Sequence, residues 1–171
     1  PTGVLEGGGQ EILFADGIMR RTDFSNFLLA LSPLYFGNGE GGLTRVLRPL
    51  PYYQARHVRI LFEQLLQGPE AVESAINLKG TLPAGIKSSD LLGFTVENDT
   101  VLMNLSEDFL QQCQGLSPEE ERQVIYSMVN TLAELRGIRR VRFYIAGHQP
   151  ETLAGSLYLP GEFLFNPDIT E

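Results

Sequence analysis

Between Ser117 and Ile145 the apolar positions change their period once, and the change separates a helix from a strand. Val124, Met128, Leu132 and Leu135 recur at steps of four, four and three, with Ile125 and Val129 widening the stripe, so one helical face must be covered. Ser117 suits the N-cap, Pro118 the first helical position and Glu120 the acid of a capping box. At the other end, Arg136 suits the negative pole of the helix dipole and Gly137 a left-handed exit. Val141, Phe143 and Ile145 then alternate with Arg140, Arg142 and Tyr144, the period of a half-buried strand. A second helix is predicted over Tyr52 to Gln67, with Val58, Leu61, Phe62 and Leu65 on one face and Gly68-Pro69 as its stop. Leu92, Phe94 and Val96 alternate, Glu97 to Thr100 turn the chain, and Val101, Met103 and Leu105 alternate again, predicting a hairpin with one buried face. Ser106 caps a short helix carrying Phe109, Leu110 and Cys113.

The flanks are less regular. Residues 1 to 31 read as a flexible, glycine-rich lead-in followed by an irregular segment, with residues 32 to 171 as one domain. Within that segment Ile12 to Phe14 is a short apolar run before the Asp16-Gly17 turn, and Phe24 to Leu31 suits helix or strand equally. A faint echo between Ile12 to Gly17 and Phe143 to His148 leaves room for a remnant of a second repeat, with chance similarity the simpler reading. Leu34 to Phe36 and Leu43 to Leu47 read as strands, and Leu157 to Leu159 and Phe163 to Phe165 as two more around Pro160-Gly161.

At 171 residues the chain can bury about 70% of its unfolded surface in a single core. Thirteen Lys and Arg against 21 Asp and Glu leave a net charge of -8, which argues against nucleic acid, whose binding needs a basic stripe. No apolar run approaches the ~18 residues of a membrane span. The start at Pro1, running through Gly7, Gly8 and Gly9, suggests an upstream signal, anchor or linker. The one cysteine, Cys113, excludes an internal disulfide framework and reads as a small apolar residue of the short helix.

Candidate chemistry is sparse. Gly37, Gly39 and Gly42 spell the dinucleotide pattern GxGxxG after a strand, but LTRVLRPLP follows where a helix N-terminus is required, so the loop is read as a hairpin connection. His57 stands alone without a metal or relay partner and reads as a surface histidine. Glu107 with Asp108, or Glu119 to Glu121, could offer the two carboxyls of a glycan hydrolase; helix-start acids favoured by the dipole are the simpler reading. Tyr52, Tyr53, Tyr144 and Tyr158 are candidate sugar contacts, more simply explained by packing. No catalytic, cofactor-binding or metal-ligating set emerges.

The hairpin LLGFTVENDTVLMNLSEDF, the helix SPEEERQVIYSMVNTLAEL and the strand RGIRRVRFYIAGH, preceded by LLQGP and LPAGI, resemble the GerM domain family of sporulation and spore germination proteins over about Ser32 to Asp168. The resemblance implies an α+β fold, a two-layer α/β sandwich in which two main helices cover one face of a small mixed sheet, similar to ring-building modules. It further implies a non-enzymatic protein-interaction or assembly module of the cell envelope, working in sporulation or spore germination with envelope or sporulation-complex proteins. It places the protein outside the cytoplasm, anchored to the outer face of the cytoplasmic membrane through a segment upstream of Pro1. Binding of cell-wall peptidoglycan, as glycan or peptide, is the alternative. The candidate partner contacts are Arg140, Arg142 and Tyr144, which the strand period sets on the face away from the helices, where they are expected to form an isolated positive patch.

Overall fold

The computed structural model describes residues 11–14, 17–20 and 28–170. In chain order the strands and helices are β1 (Glu11–Phe14), β2 (Gly17–Arg20), β3 (Leu29–Gly37), β4 (Leu43–Pro51), α1 (Val58–Gln67), α2 (Ala71–Ser74), β5 (Leu91–Glu97), β6 (Thr100–Leu105), α3 (Glu107–Cys113), α4 (Pro118–Ala133), β7 (Arg140–Ile145) and β8 (Phe163–Leu164). Short 3-10 turns cover Ser88–Asp90 and Pro167–Ile169.

The predicted period change is the centre of this arrangement. Helix α4 starts at Ser117, whose hydroxyl accepts the Glu120 amide while the Glu120 carboxylate accepts the Ser117 amide, so the capping box forms as the spacing requires. The helix ends at Ala133 with Glu134 as its C-cap, short of the predicted end at Arg136, and Gly137, with φ +87, lies in the following turn, which the Ile138 amide closes onto the Leu135 carbonyl. Strands β5 to β8 form one mixed sheet in the order β5-β6-β7-β8, parallel only between β6 and β7. A parallel pair needs a crossover, and α3 and α4 supply it. Val101, Met103 and Leu105 stand in register with Val141, Phe143 and Ile145, and all six are buried. Phe62 and Leu65 of α1 meet Met128 and Leu132 of α4 over Met103, so both long helices cover the same face.

The hairpin β3-β4 pairs nine residues with nine. Leu34, Phe36 and Leu50 join the main core, while Tyr35 and Leu43 form a small satellite with Ile169 and Tyr126. The outer edge of β3 is occupied: the Tyr35 amide donates to Thr131 Oγ1 at 3.2 Å, and Gly37 exchanges two backbone hydrogen bonds with Lys79. The glycine pattern is a hairpin loop. An added Cβ on Gly42 would lie 2.8 Å from the Ile169 carbonyl, so close packing explains that glycine, while Gly41 is required by its left-handed φ of +88.

Several boundaries differ from the sequence reading. Strands β3 and β4 extend to Leu29 and Pro51, because on a two-stranded ribbon proline can occupy an outward-facing edge without breaking a ladder. Helix α1 starts at Val58 rather than Tyr52, since Gln54 and Ala55 bond back to Pro51 and His57 is extended. A bulge between Leu91 and Gly93 puts Leu91 opposite Leu105 in the core and leaves Leu92 exposed, so Leu92 does not belong to the buried stripe. The two final strands reduce to the two-residue β8; Leu157 to Leu159 form an irregular segment with an isolated Thr152–Tyr158 bridge and the Leu159 amide bonded to the Glu151 carbonyl. Ile12 to Phe14 pair with β2, whereas residues 1 to 10, Asp16 and Phe24 to Phe27 lie outside the described residues.

Candidate functional site

Among the described residues no helix or strand covers the second face of the four-stranded sheet, and its make-up follows from register. Thr100 pairs with Arg140, Leu102 with Arg142 and Asn104 with Tyr144, and these residues alternate with the buried set, so all six point away from α1 and α4. Gly93 contributes no side chain, and around it Thr95, Leu102, Asn104 and Tyr144 line a shallow hollow of about 360 Å³. The Arg142 guanidinium sits 5.8 Å from the Tyr144 ring centroid, within cation–π range, and its buried Nε has no hydrogen-bond partner.

The three sequence-predicted contacts are thus brought together on one face, but the expected isolated positive patch is not there. Arg140 pairs with Asp99 at 2.9 Å and with Glu162 at 3.1 Å. Glu97, Asp99 and Glu162 line one depression with Arg140 and Arg142, so carboxylates interleave with the guanidiniums. The Asp99 carboxyl is held below its ordinary range, first by the Thr100 hydroxyl and then, against some desolvation, by Arg140. Sequence reasoning missed this because Asp99 sits in the β5-β6 turn and Glu162 comes from a distant loop.

The other candidates have structural partners. Glu120 closes the capping box of α4 and Glu119 packs on Gly41. Glu121 is fully buried, and its carboxylate accepts the amides of Ala154, Ser156 and Leu157, pinning the irregular segment to α4. The signal for Glu121 was present: it stands three residues before Val124 and seven before Met128, on the buried stripe. Glu107 and Asp108 lie in the first turn of α3, with Glu107 3.6 Å from the exposed His148. Cys113 is buried, and burial followed by the negative charge of Glu121 pushes its thiol up to about 12, so it remains a protonated, apolar packing group. His57 is exposed and stacks edge-on against Phe94 at 5.9 Å. Tyr52, Tyr53 and Tyr158 are exposed rather than packed, and none of them joins Tyr144 in its hollow.

Arg48 was not singled out from sequence. It is 4% exposed and reaches Glu73 at 2.6 Å, Glu70 at 2.9 Å, the Gln64 side chain at 3.0 Å and the Gly68 carbonyl at 3.3 Å, with its guanidinium over the Phe36 ring. Tyr35, Glu134 and Arg45 form a smaller polar group: the Tyr35 hydroxyl donates to Glu134 at 2.6 Å, and Arg45 pairs with the same carboxylate. Burial, then the hydrogen bond to Glu134, raises the Tyr35 phenol well above its usual value. Burial pushes the Glu134 carboxyl up, but hydrogen bonds from Arg45 and Tyr35 outweigh it and leave the carboxyl below its usual value. Among the described residues, no group of three His, Cys, Asp or Glu is placed to hold a metal, and no helix is long and apolar enough to cross a membrane.

Comparison with known proteins adds a family and a fold. The sequence profile of the Germane family, described as sporulation and spore germination, matches residues 33–151. The tandem GerMN domains of the Bacillus subtilis sporulation protein GerM share the fold with a TM-score of 0.61 and 18% identity, over 82% of this chain and 48% of that one. The chain therefore spans about half of the tandem structure. The first GerMN domain alone is similar at a TM-score of 0.60 and 19% identity, over 81% of this chain and 99% of that domain. A Clostridium perfringens protein designated a candidate lipoprotein is similar at a TM-score of 0.52 and 19% identity, covering 80% and 87% of the two chains. No curated protein sequence matches the chain.

Proposed function

Because the chain belongs to the Germane family of sporulation and spore germination proteins, we propose that it is a non-enzymatic interaction module of the cell envelope that docks or assembles other envelope proteins. The observation that carries this reading is the uncovered sheet face, where an apolar hollow adjoins a guanidinium stacked on tyrosine. Arg and Tyr are the side chains enriched where interfaces concentrate their energy, and Arg142 keeps an unpartnered buried donor there. A location outside the cytoplasm, with a tether to the membrane, is supported by the same fold in the candidate lipoprotein.

The test is a photo-crosslinking amino acid at Leu164, which is 53% exposed and pairs with Arg140 at the far end of the sheet from β5. In sporulating cells it should yield adducts with envelope proteins, and Arg142→Glu should reduce them. The control position is Val72 on α2, 80% exposed. Equal adducts from both positions, or adducts unaffected by Arg142→Glu, would refute the reading.

A further inference from the structure

Strand β5 closes one end of the four-stranded sheet, and it is the least covered strand of that sheet, with Leu92 and Val96 both about half exposed. The edges of β3, β4 and β8 are guarded. Thr131 and Lys79 occupy β3, Pro49 and Pro51 interrupt β4, and β8 is two residues long. The β5 sequence LLGFTVE has neither proline nor lysine. Among the described residues Arg59 donates to the Leu91 carbonyl at 2.7 Å and His57 stacks on the Phe94 ring, but no further strand pairs with Gly93 to Glu97, which present the kind of bare edge that recruits another strand.

Two hollows flank this edge, one on each side of the sheet. The first, about 360 Å³, lies on the open face beside Gly93, Thr95, Leu102 and Tyr144. The second, about 230 Å³, lies on the helix side, with Val58, Val96, Leu135 and Ile138 as its floor and Arg56 and Arg136 at its rim. A strand added to β5 would send alternate side chains to the two faces, and hence into the two hollows. Among the described residues neither Arg56 nor Arg136 has a carboxylate partner, although the chain carries a net charge of -8. The nearby acid, Glu97, faces the opposite side with Arg140 and Arg142.

We propose that the free edge of β5 docks an extended apolar segment of a partner protein, bracketed by acidic residues that pair with Arg56 and Arg136. Main-chain hydrogen bonds along Gly93 to Glu97 supply the pairing, the two hollows take apolar side chains, and the arginines fix which segment fits. A second copy of this chain is the poorer occupant. Antiparallel β5-to-β5 pairing about a two-fold axis would bring Arg56 and Arg136 of both copies to the same face of one edge, where like charges oppose association. The inference deepens the interaction-module reading and rests on it.

The test uses the full chain and a short fluorescein-labelled peptide of valines bracketed by glutamates, followed by fluorescence anisotropy. Saturable binding is expected. Val96→Glu, and separately Arg56→Glu with Arg136→Glu, should weaken it on the order of tenfold, with unchanged circular dichroism. Methylating alternate peptide amides should weaken it as well. Equal binding of a lysine-bracketed peptide, indifference to Val96→Glu, or no binding at all would overturn the proposal. So would a dimer in sedimentation equilibrium that dissociates in Val96→Glu, since the edge would then belong to a second copy. Failure here with adducts persisting at Leu164 removes this inference alone, whereas loss of the Leu164 adducts with peptide binding intact removes only the open-face reading.

Discussion

Arg48 and Arg142 both project from strands and both lie over an aromatic ring, Phe36 in one case and Tyr144 in the other. Arg48 is surrounded by Glu70, Glu73, Gln64 and the Gly68 carbonyl, so its charge is matched inside the molecule and its two terminal nitrogens are hydrogen-bonded. Arg142 has the ring but, among the described residues, no carboxylate within ion-pair distance and no side-chain hydrogen bond. A guanidinium whose charge is met internally holds the fold together, whereas one with an unmatched charge on an open face suits an external partner. Neither burial nor the Nε separates the two, since in both that nitrogen is shielded from water and lacks a hydrogen-bond partner; the carboxylates do.

Four measurements would break or sharpen that contrast. Arg48→Leu should cost the most, about 3 kcal/mol or more in urea unfolding, because it strands the carboxylate of Glu73, whose side chain is 16% exposed. A loss below ~1 kcal/mol would mean that water already serves the two acids. Leu132→Ala supplies an apolar reference within the same core; at 2% exposure its truncation should cost ~2–5 kcal/mol by cavity formation. If Leu132→Ala proves nearly neutral, the buried stripe of α4 is misassigned.

An intermediate case is Arg45 with Glu134. Because the Glu134 carboxyl is depressed in the folded state, its contribution is present above the ordinary value of 4.5 and is lost as pH falls below it through the folded-state value. Arg45→Met should therefore flatten the stability profile on the acid side, read from unfolding free energies at about pH 7 and about pH 3. An unchanged acid limb would remove the pair from the account. Smallest of all is Arg142→Ala, expected within about 0.5 kcal/mol of the parent by the same unfolding assay. A loss comparable to that of Arg48→Leu would place Arg142 in the framework and not at an interface.

What was legible in the sequence was whatever one element specifies by itself. The capping box at Ser117, the stripe of α4 and the alternation of β7 depend on neighbours within a few residues. The resemblance to the GerM domain family extended this reading to the whole α+β arrangement, and the family match at residues 33–151 agrees with it. Illegible were the features that join distant segments. Arg48 finds its acids 22 and 25 residues further along the chain, and the neutralisation of Arg140 depends on Asp99 and Glu162. The bulge that exposes Leu92 arises only when β5 is laid on β6. For Arg140, Arg142 and Tyr144 the common face was legible in the strand period; their charge balance was not.

The satellite of Tyr35, Leu43 and Ile169 has a consequence for the order in which the chain folds. The Tyr35 amide waits for Thr131, 96 residues later, and Leu43 bridges to Thr170 near the far end. A ribosome therefore releases the β3-β4 hairpin long before its covering exists, and throughout that interval the buried side of Tyr35 and Leu43 is open to water and to other nascent chains. Contacts of such sequence separation close slowly, since the loop entropy must be overcome before any burial is gained. Synthesis halted after β7 would leave the sheet's inner strands complete and the hairpin unsealed, a half-product whose exposed apolar surface invites aggregation or capture by chaperones.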